Sequence, residues 1–310
     1  MAQSQQRRIV LGITGGIAAY KAAELVRLLA KDGHSVQAVM TQSACGFITP
    51  ATFQALSGRP VYTDIWDGRV TDGMAHIALS RGADAIVVAP ASADFMAKLA
   101  NGLADDLLST LCLARECPLM LAPAMNRQMW ENKATQRNVA TLARDGVALL
   151  GPASGEQACG ETGLGRMLEA EQIYAEIQSQ LAPKLLAGKT VLITAGPTFE
   201  ALDPVRGITN RSSGKMGYAI ARAALDAGAA VTLVSGPVHL DPPRTARVER
   251  VDSAADMFAA VKKYAKAADI FIGVAAVADY RPEKVSAQKI KKNDSDMTLR
   301  LVQNPDILAW

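Results

Sequence analysis

One pattern is written twice in this chain, and it leaves few folds open. Residues 8–14 form an apolar run that ends on Gly15-Gly16. A stretch with Ala, Leu and Val on one face follows over 17–31, Asp32-Gly33 closes it, and residues 36–40 are apolar again. The second copy runs from the apolar 189–194 through Ala195-Gly196 to a helix-like 215–227, Gly228, and the apolar 231–234. Apolar run, glycine turn, amphipathic stretch and apolar run are the opening of a parallel α/β sheet. The closing glycine precedes the next valine by the same step in both copies, Gly33 to Val36 and Gly228 to Val231. A second echo follows. Ala83-Asp84 opens an apolar run at 85–89 and Ala268-Asp269 opens one at 270–274, with Asp94 and Asp279 each ten residues beyond the first aspartate. The pattern predicts two doubly wound, Rossmann-like parallel-sheet domains, residues 1–188 and 189–310. The helix-like 171–186 and Ala187-Gly188 form the junction. A chain of 310 residues agrees, at about 150 residues per domain. Common origin and the shared habits of α/β folds both account for the echo.

Composition removes several function classes. Hydrophobic residues make up 49% of the chain, ample for two cores and too much for a disordered protein. Thirty-three basic against 30 acidic side chains leave +3, too small a surplus to point to nucleic acid or an anionic membrane. Aromatics at 5% are too scarce for base-stacking platforms. No apolar run reaches the roughly 18 residues of a membrane span. The polar residues 1–8 do not read as a signal peptide, so the expected location is cytoplasmic. The four cysteines, Cys45, Cys112, Cys117 and Cys159, make no CxxC pair and no Cys/His cluster, so thiols are expected rather than a zinc site. No metal ligands are assigned.

In open α/β sheets ligands bind beyond the carboxyl ends of the strands. The loops to inspect are 14–16, 41–43, 90–95, 123–130, 194–217 and 273–281. Gly12-Ile-Thr-Gly15-Gly16-Ile17 is not GxGxxG. Its glycine turn can offer backbone N–H groups to a phosphate at a helix start, or can simply supply positive φ at Gly15 or Gly16. The segment from Gly207 to Gly214-Lys215-Met216 resembles a P-loop but has six residues between its glycines, and Met216 stands where a Ser/Thr would ligate magnesium. Thr209, Ser212, Ser213 and Lys215 still make it a candidate anion site.

Longer motifs narrow the choice. The first half carries Gly12-Ile-Thr-Gly-Gly-Ile-Ala-Ala-Tyr-Lys21, Pro123-Ala-Met-Asn126-Arg-Gln-Met129-Trp130, and Ala158-Cys159-Gly160 followed by Gly163, Gly165, Arg166 and Met167. It resembles the flavin-dependent cysteine decarboxylases. The second half carries Thr194-Ala-Gly-Pro-Thr198, Asp203-Pro-Val-Arg206, Thr209-Asn210 with Ser-Ser-Gly-Lys-Met-Gly217, Ala275-Ala-Val-Ala-Asp279-Tyr280 and Lys289-Ile-Lys-Lys292. That set resembles phosphopantothenate–cysteine ligase. In this order the two sets resemble the bifunctional coenzyme A biosynthesis family, from Arg8 onward.

The resemblance implies a flavodoxin-like first domain that uses FMN to decarboxylate 4′-phosphopantothenoylcysteine to 4′-phosphopantetheine. It implies a second domain that joins 4′-phosphopantothenate to cysteine with CTP and Mg²⁺ through an acyl-cytidylate. By motif position, Gly15, Gly16 and Ile17 would hold the FMN phosphate. Thr41, Ser43, Ser92, Ala93, Asp94, Phe95 and Ala124 would line the flavin site. His76 would move a proton, its ordinary pKa of about 6.5 suiting that work. Asn126 would hydrogen-bond the substrate with Met129 packed beside it. Cys159 would be the acid that returns the last proton, from a glycine-rich mobile flap; Cys112 and Cys117 fit core positions better. In the ligase part, Asn210 would stabilise the acyl-cytidylate and Lys289 would serve the second half-reaction. Gly273, Val274, Ala275, Asp279, Asn304, Pro305, Asp306 and Ile307 would contact CTP. The family further implies a trimer-based flavin domain with an active site shared between subunits, and ligase dimers.

The sequence ends soon after Asn304-Pro-Asp306, where the family continues with a large part of the ligase domain, so ligase action and an intact sheet edge are both in question. Two other classes share part of this pattern. A flavin prenyltransferase would share the first architecture without the ligase motifs or the Ala-Cys159-Gly flap. A non-catalytic flavoprotein regulator would lack His76 or Asn126, and this chain has both.

Overall fold

The computed structural model describes residues 6–67, 69, 74–158, 160–243, 245–291 and 296–310. The chain divides into two compact units, Met1–Leu181 and Ala182–Trp310. The first unit begins β1 (Arg8–Ile13), α1 (Ala19–Lys31) and β2 (Ser35–Met40), then α2 (Gln42–Cys45), α3 (Pro50–Ser57) and α4 (Ala75–Ser80). It continues with β3 (Ala85–Ala91), α5 (Ala93–Ala100), α6 (Leu107–Leu113), β4 (Leu119–Pro123), α7 (Arg127–Glu131), α8 (Lys133–Arg144) and β5 (Ala148–Leu149). A hairpin of β6 (Ala153–Glu156) and β7 (Thr162–Arg166) precedes the last helix, α9 (Ala170–Leu181).

These strands form a parallel five-stranded sheet in the order β2-β1-β3-β4-β5. Helices cover both faces, so the strands are apolar on both sides rather than alternating. Ile9, Leu11 and Ile13 point into one core with Val87 and Met120, while Val10 points into the other with Ile86, Val88 and Leu121. That split is the two-residue period of a strand. Helix α1 ends at Asp32 and Gly33, whose φ of +86° only glycine takes without strain.

The second unit repeats the opening. It holds β8 (Thr190–Ala195), β9 (Phe199–Ala201), β10 (Gly207–Thr209), α10 (Lys215–Asp226), β11 (Ala230–Ser235), β12 (Arg247–Arg250), α11 (Ala254–Ala265), β13 (Ile270–Gly273), β14 (Tyr280–Pro282) and β15 (Leu301–Gln303). Its parallel sheet runs β12-β11-β8-β13. In both units the first strand lies inside the sheet, β1 between β2 and β3, and β8 between β11 and β13. The aspartate echo has a structural cause. Asp84 accepts the N–H of Arg8 at 2.7 Å and the Arg7 guanidinium at 3.2 Å. Asp269 accepts the N–H of Thr190 at 2.7 Å and Lys189 Nζ at 3.5 Å. Each carboxylate ties the entry of one strand to the start of its neighbour.

The doubly wound α/β expectation holds, with local corrections. Helix α1 starts at Ala19 rather than residue 17, because residues 15–18 are a turn. Helix α9 stops at Leu181 instead of residue 186, since Pro183 disfavours helix at the residue before it and cannot donate its own N–H. The stretch 123–130, expected as a loop, contains the short helix α7. The small antiparallel pairs β6–β7, β9–β10 and β14–β15 were not anticipated.

Candidate active site

In the first unit the functional loops meet at the carboxyl ends of β1, β2 and β3. Thr14 Oγ1 donates to Pro90 O at 2.8 Å and accepts the N–H of Ser92 at 3.0 Å, which joins the end of β1 to the end of β3. Gly15 is required by space rather than by positive φ, since a Cβ there would meet Ser43 Cβ at 2.8 Å. Gly16 is the opposite case: a Cβ on it would enter open space. Helix α1 begins with Ala18 as its cap residue, which supplies no side-chain hydrogen bond. The N–H groups of Gly15, Gly16 and Ile17 find no acceptor among the described residues. Free donors at an uncapped helix start, beside unfilled space, fit the phosphate of a flavin nucleotide.

A cavity of about 540 Å³ opens beside this turn, lined among others by Gly16, Ile17, Tyr20, Ala124, Asn126 and Arg166. Asn126 caps α7, accepting the N–H of Met129 at 2.9 Å, and its Nδ2 donates to Gln128 Oε1 at 3.0 Å. The amide is thus oriented before any ligand arrives. One wall of the cavity is the β6–β7 hairpin. Its base is fastened by Lys21, only 5% exposed, whose Nζ donates to Met167 O at 3.0 Å and Glu169 Oε1 at 2.9 Å. The Lys21 ammonium, and after it Arg166, hold the Glu169 carboxyl below the usual range against the pull of burial.

Other expected residues sit differently. Thr41 Oγ1 accepts the N–H of Ala44 at 3.3 Å and meets Ser43 Oγ at 3.0 Å, next to Gly15. Ser92 caps α5 through Phe95 N–H at 3.2 Å. Ala93 opens that helix, and the exposed Asp94 lies 3.8 Å from Lys98. The Phe95 side chain is buried in the core with Leu108 and Leu111, so it supports the loop from below instead of facing a ligand. Met129 is exposed at the end of the Asn126 turn. His76, on α4, is absent from the cavity lining, and its Nδ1 is buried without a partner among the described residues. Cys159 lies outside the described residues. Of the remaining thiols, burial pushes Cys112 up to about 12 and raises Cys45 and Cys117 as well, which leaves them poor nucleophiles and poor acids.

In the second unit the loops again gather beyond the strands. A Cβ on Gly217 would clash with Ala195 Cβ, and one on Gly236 with Pro197 O, so the turn after β8 is closed around bare backbone. Gly214, with φ +73°, starts α10 without a side-chain cap. Asn210 Nδ2 donates to Ala276 O and Val277 O, each at 3.1 Å, which fastens the Gly273-Val274-Ala275 loop beside the 207–214 segment. Asn304 closes the same loop, its N–H on Asp279 O and its Nδ2 on Ala278 O, both at 2.8 Å. Pro305 is half-buried, Asp306 accepts the N–H groups of Leu308 and Ala309, and Ile307 packs against the core that includes Ala275. Lys289 is exposed on a segment fastened to Asp203, and Lys292 lies outside the described residues. The Asp203 side chain, fully buried, takes the N–H of Val205, Arg206 and Ile290 and the Arg206 guanidinium. Among the described residues no three His, Cys, Asp or Glu side chains gather as a metal site, and no helix is long and apolar enough to cross a membrane.

Residues 1–182 match the Flavoprotein family model, and residues 186–310 match the DNA/pantothenate metabolism flavoprotein C-terminal domain model. A Vibrio cholerae serotype O1 protein described as coenzyme A biosynthesis bifunctional protein CoaBC is 56% identical over 305 residues, 98% of this chain and 76% of its own length. Its Escherichia coli K12 counterpart is 50% identical over 308 residues, with the same coverage. This chain belongs to the CoaBC family. It spans about three quarters of the length of these CoaBC relatives. Among solved structures, a cysteine-to-serine mutant of PPC decarboxylase complexed with pantothenoylaminoethenethiol is 34% identical with a TM-score of 0.52, covering 56% of this chain and 97% of that one. The FMN binding protein AtHal3 is 34% identical with a TM-score of 0.51, covering 56% of this chain and 96% of its own.

The sequence motifs missed Lys21, Gln128, Gln157 and Glu161. Lys21 closes a quoted motif, and a lysine among apolar helix positions was its only signal. Gln128 occupies an unspecified position of PxMNxxMW, so nothing in the pattern marked it.

Proposed function

We propose that this CoaBC family member serves coenzyme A biosynthesis with its first unit as an FMN-dependent phosphopantothenoylcysteine decarboxylase. The observation that carries the reading is the uncapped start of α1, where the N–H groups of Gly15, Gly16 and Ile17 have no acceptor among the described residues, with Gly16 and Ile17 lining the cavity that Asn126 shares. Bound FMN supplies reversible oxidation at the cysteine sulfur, which gives the departing carboxylate the electron sink it otherwise lacks. The chain's own residues bind, orient and protonate. Gly15, Gly16 and Ile17 hold the phosphate, with Thr41, Ser43, Ser92 and Ala124 around them. Asn126, its amide fixed by Met129 N–H and Gln128, keeps one amide hydrogen for the substrate. Cys159 donates the last proton from a thiol that is mostly protonated near neutral pH. His76 moves a proton from a neighbouring copy, which accounts for its absence from the cavity within one chain.

The second unit, in this reading, carries the start of the CTP-dependent ligase. Asn210 and the 273–279 loop face the nucleotide with Asn304 and Asp306, and Lys289 serves the step in which cysteine attacks. Mg²⁺ accompanies CTP in this reading. The test is direct. Purified protein should carry or take up FMN, seen as yellow absorbance, and should release CO₂ from phosphopantothenoylcysteine. Phosphopantothenate, cysteine and CTP then test the second unit. A colourless protein that FMN cannot reconstitute overturns the first reading.

A further inference from the structure

Two peptide N–H groups flank Asn126, and the β6–β7 hairpin receives both. Met125 N–H donates to Gly165 O at 3.0 Å, and Arg127 N–H donates to Gln157 Oε1 at 2.9 Å. Gln157 then turns its Nε2 to Leu164 O on the opposite strand at 3.1 Å. Its backbone closes the turn 157–161, donating to Glu161 O and accepting the N–H of Gly160, both at 2.8 Å. A second link runs from Asn126 Nδ2 to Gln128 Oε1 at 3.0 Å, and from Gln128 Nε2 to Glu161 Oε1 at 2.7 Å. The seat admits no side chain: a Cβ on Gly165 would meet Met125 O at 2.5 Å. The residue enclosed by this turn in the sequence is Cys159.

The fold does not need this arrangement. The hairpin lies outside the five-stranded sheet, and along its two strands only Gly165 is buried. One glutamine nevertheless joins the start of α7, the far strand of the hairpin and the turn around residue 159. An amide is suited to the task because it accepts and donates at once. We propose that Gln157 is a positioning residue, locking the residues that flank Cys159 in the sequence, 157–158 and 160–161, in register with Asn126. The inference rests on reading the first unit as the decarboxylase. Substrate oxidation needs Asn126 and the flavin, whereas the final protonation also needs the thiol delivered to the substrate that Asn126 holds. Loss of the lock therefore slows the second step alone.

The test uses FMN-loaded protein, phosphopantothenoylcysteine and Gln157→Leu, a change of similar size that removes the side-chain hydrogen bonds to Arg127, Gly163 and Leu164. In single turnover, flavin content and the initial loss of flavin absorbance stay at the parent level. Return of absorbance and release of phosphopantetheine slow by about tenfold to a hundredfold, the scale of a small misplacement of reacting groups. Without substrate or FMN, hydrogen exchange rises in peptides covering 125–131 and 155–166. Gln157→Glu gives a second handle. Its protonated carboxyl accepts from Arg127 N–H and donates to Leu164 O, while the ionised form sets a second acceptor against that carbonyl, among Glu156, Glu161, Arg127 and Arg166. Its deficit relative to the parent should narrow as pH falls from about 7 into the ordinary glutamate range of about 4.3. Normal turnover in Gln157→Leu, equal slowing of both steps, loss of flavin, or a pH-independent Gln157→Glu deficit each overturn the proposal. A parent that takes up no FMN or releases no CO₂ brings down the decarboxylase reading itself, an outcome distinct from these.

Discussion

Gly16 separates binding from folding at a single position. Its φ is not positive and a Cβ there meets nothing, so a side chain costs the fold little. Gly16→Asp would place a negative charge at the uncapped start of α1, where the helix dipole favours it by about 0.3–1 kcal/mol. The same charge would stand where the proposed reading puts the FMN phosphate. The expected result is an FMN-free protein whose thermal midpoint matches or slightly exceeds that of the wild-type apoprotein; normal flavin content would refute the phosphate assignment. Cys159→Ser tests the proposed final protonation. Serine keeps the size but gives a far weaker acid, so this variant should bind FMN, bleach it on adding substrate, and stall before product, as followed by flavin absorbance. Full turnover would remove Cys159 from its role. At this scale the sequence was legible where a motif names a residue, as with Asn126. It was silent on Gln128 and Gln157, because a side-chain amide joining two distant backbones has no spacing in one dimension.

Elements were legible in proportion to how deeply they are buried. Strands β1, β3 and β8 read as strands because a parallel sheet covered on both faces demands unbroken apolar runs. The β6–β7 hairpin did not, since its glycine-rich strands are exposed and held by backbone pairing with Asn126 neighbours rather than by an apolar face. The Asp203 turn is a similar device in the second unit. Burial alone would raise its carboxyl, but the N–H groups of Val205 and Ile290 and the guanidinium and N–H of Arg206 outweigh it and bring it down to about 2. Arg206 also donates to Ile290 O, so one ion pair grips both sides of the peptide beside Lys289. A lowered folded pKa means that this grip is complete above the ordinary carboxylate range and is lost as pH falls through about 2. Asp203→Asn should release the segment at neutral pH, raising tryptic cleavage at Lys289 by roughly tenfold or more. Unchanged cleavage would show that the segment is held elsewhere.

The repeated sequence pattern became two units with the same strand entry and the same aspartate tie, Asp84 on Arg8 and Asp269 on Thr190. What one chain cannot display is a site completed by another copy. His76 does not line the Asn126 cavity, yet the proposed chemistry asks for both, and His76 is half-buried with no partner for its Nδ1 among the described residues. The argument can be turned into numbers. Take His76→Asn and Asn126→Asp, each inactive alone, and mix them in equal amounts before assembly. In a cyclic trimer with shared sites, a site works when one neighbour supplies the intact histidine and the other the intact asparagine. Each condition holds half the time, so about one quarter of the wild-type activity should return. Mixing after assembly should restore nothing until subunits exchange. If equal mixing before assembly leaves the preparation inactive while FMN content is normal, both residues act within a single chain, and His76 must reach the cavity by a movement of α4.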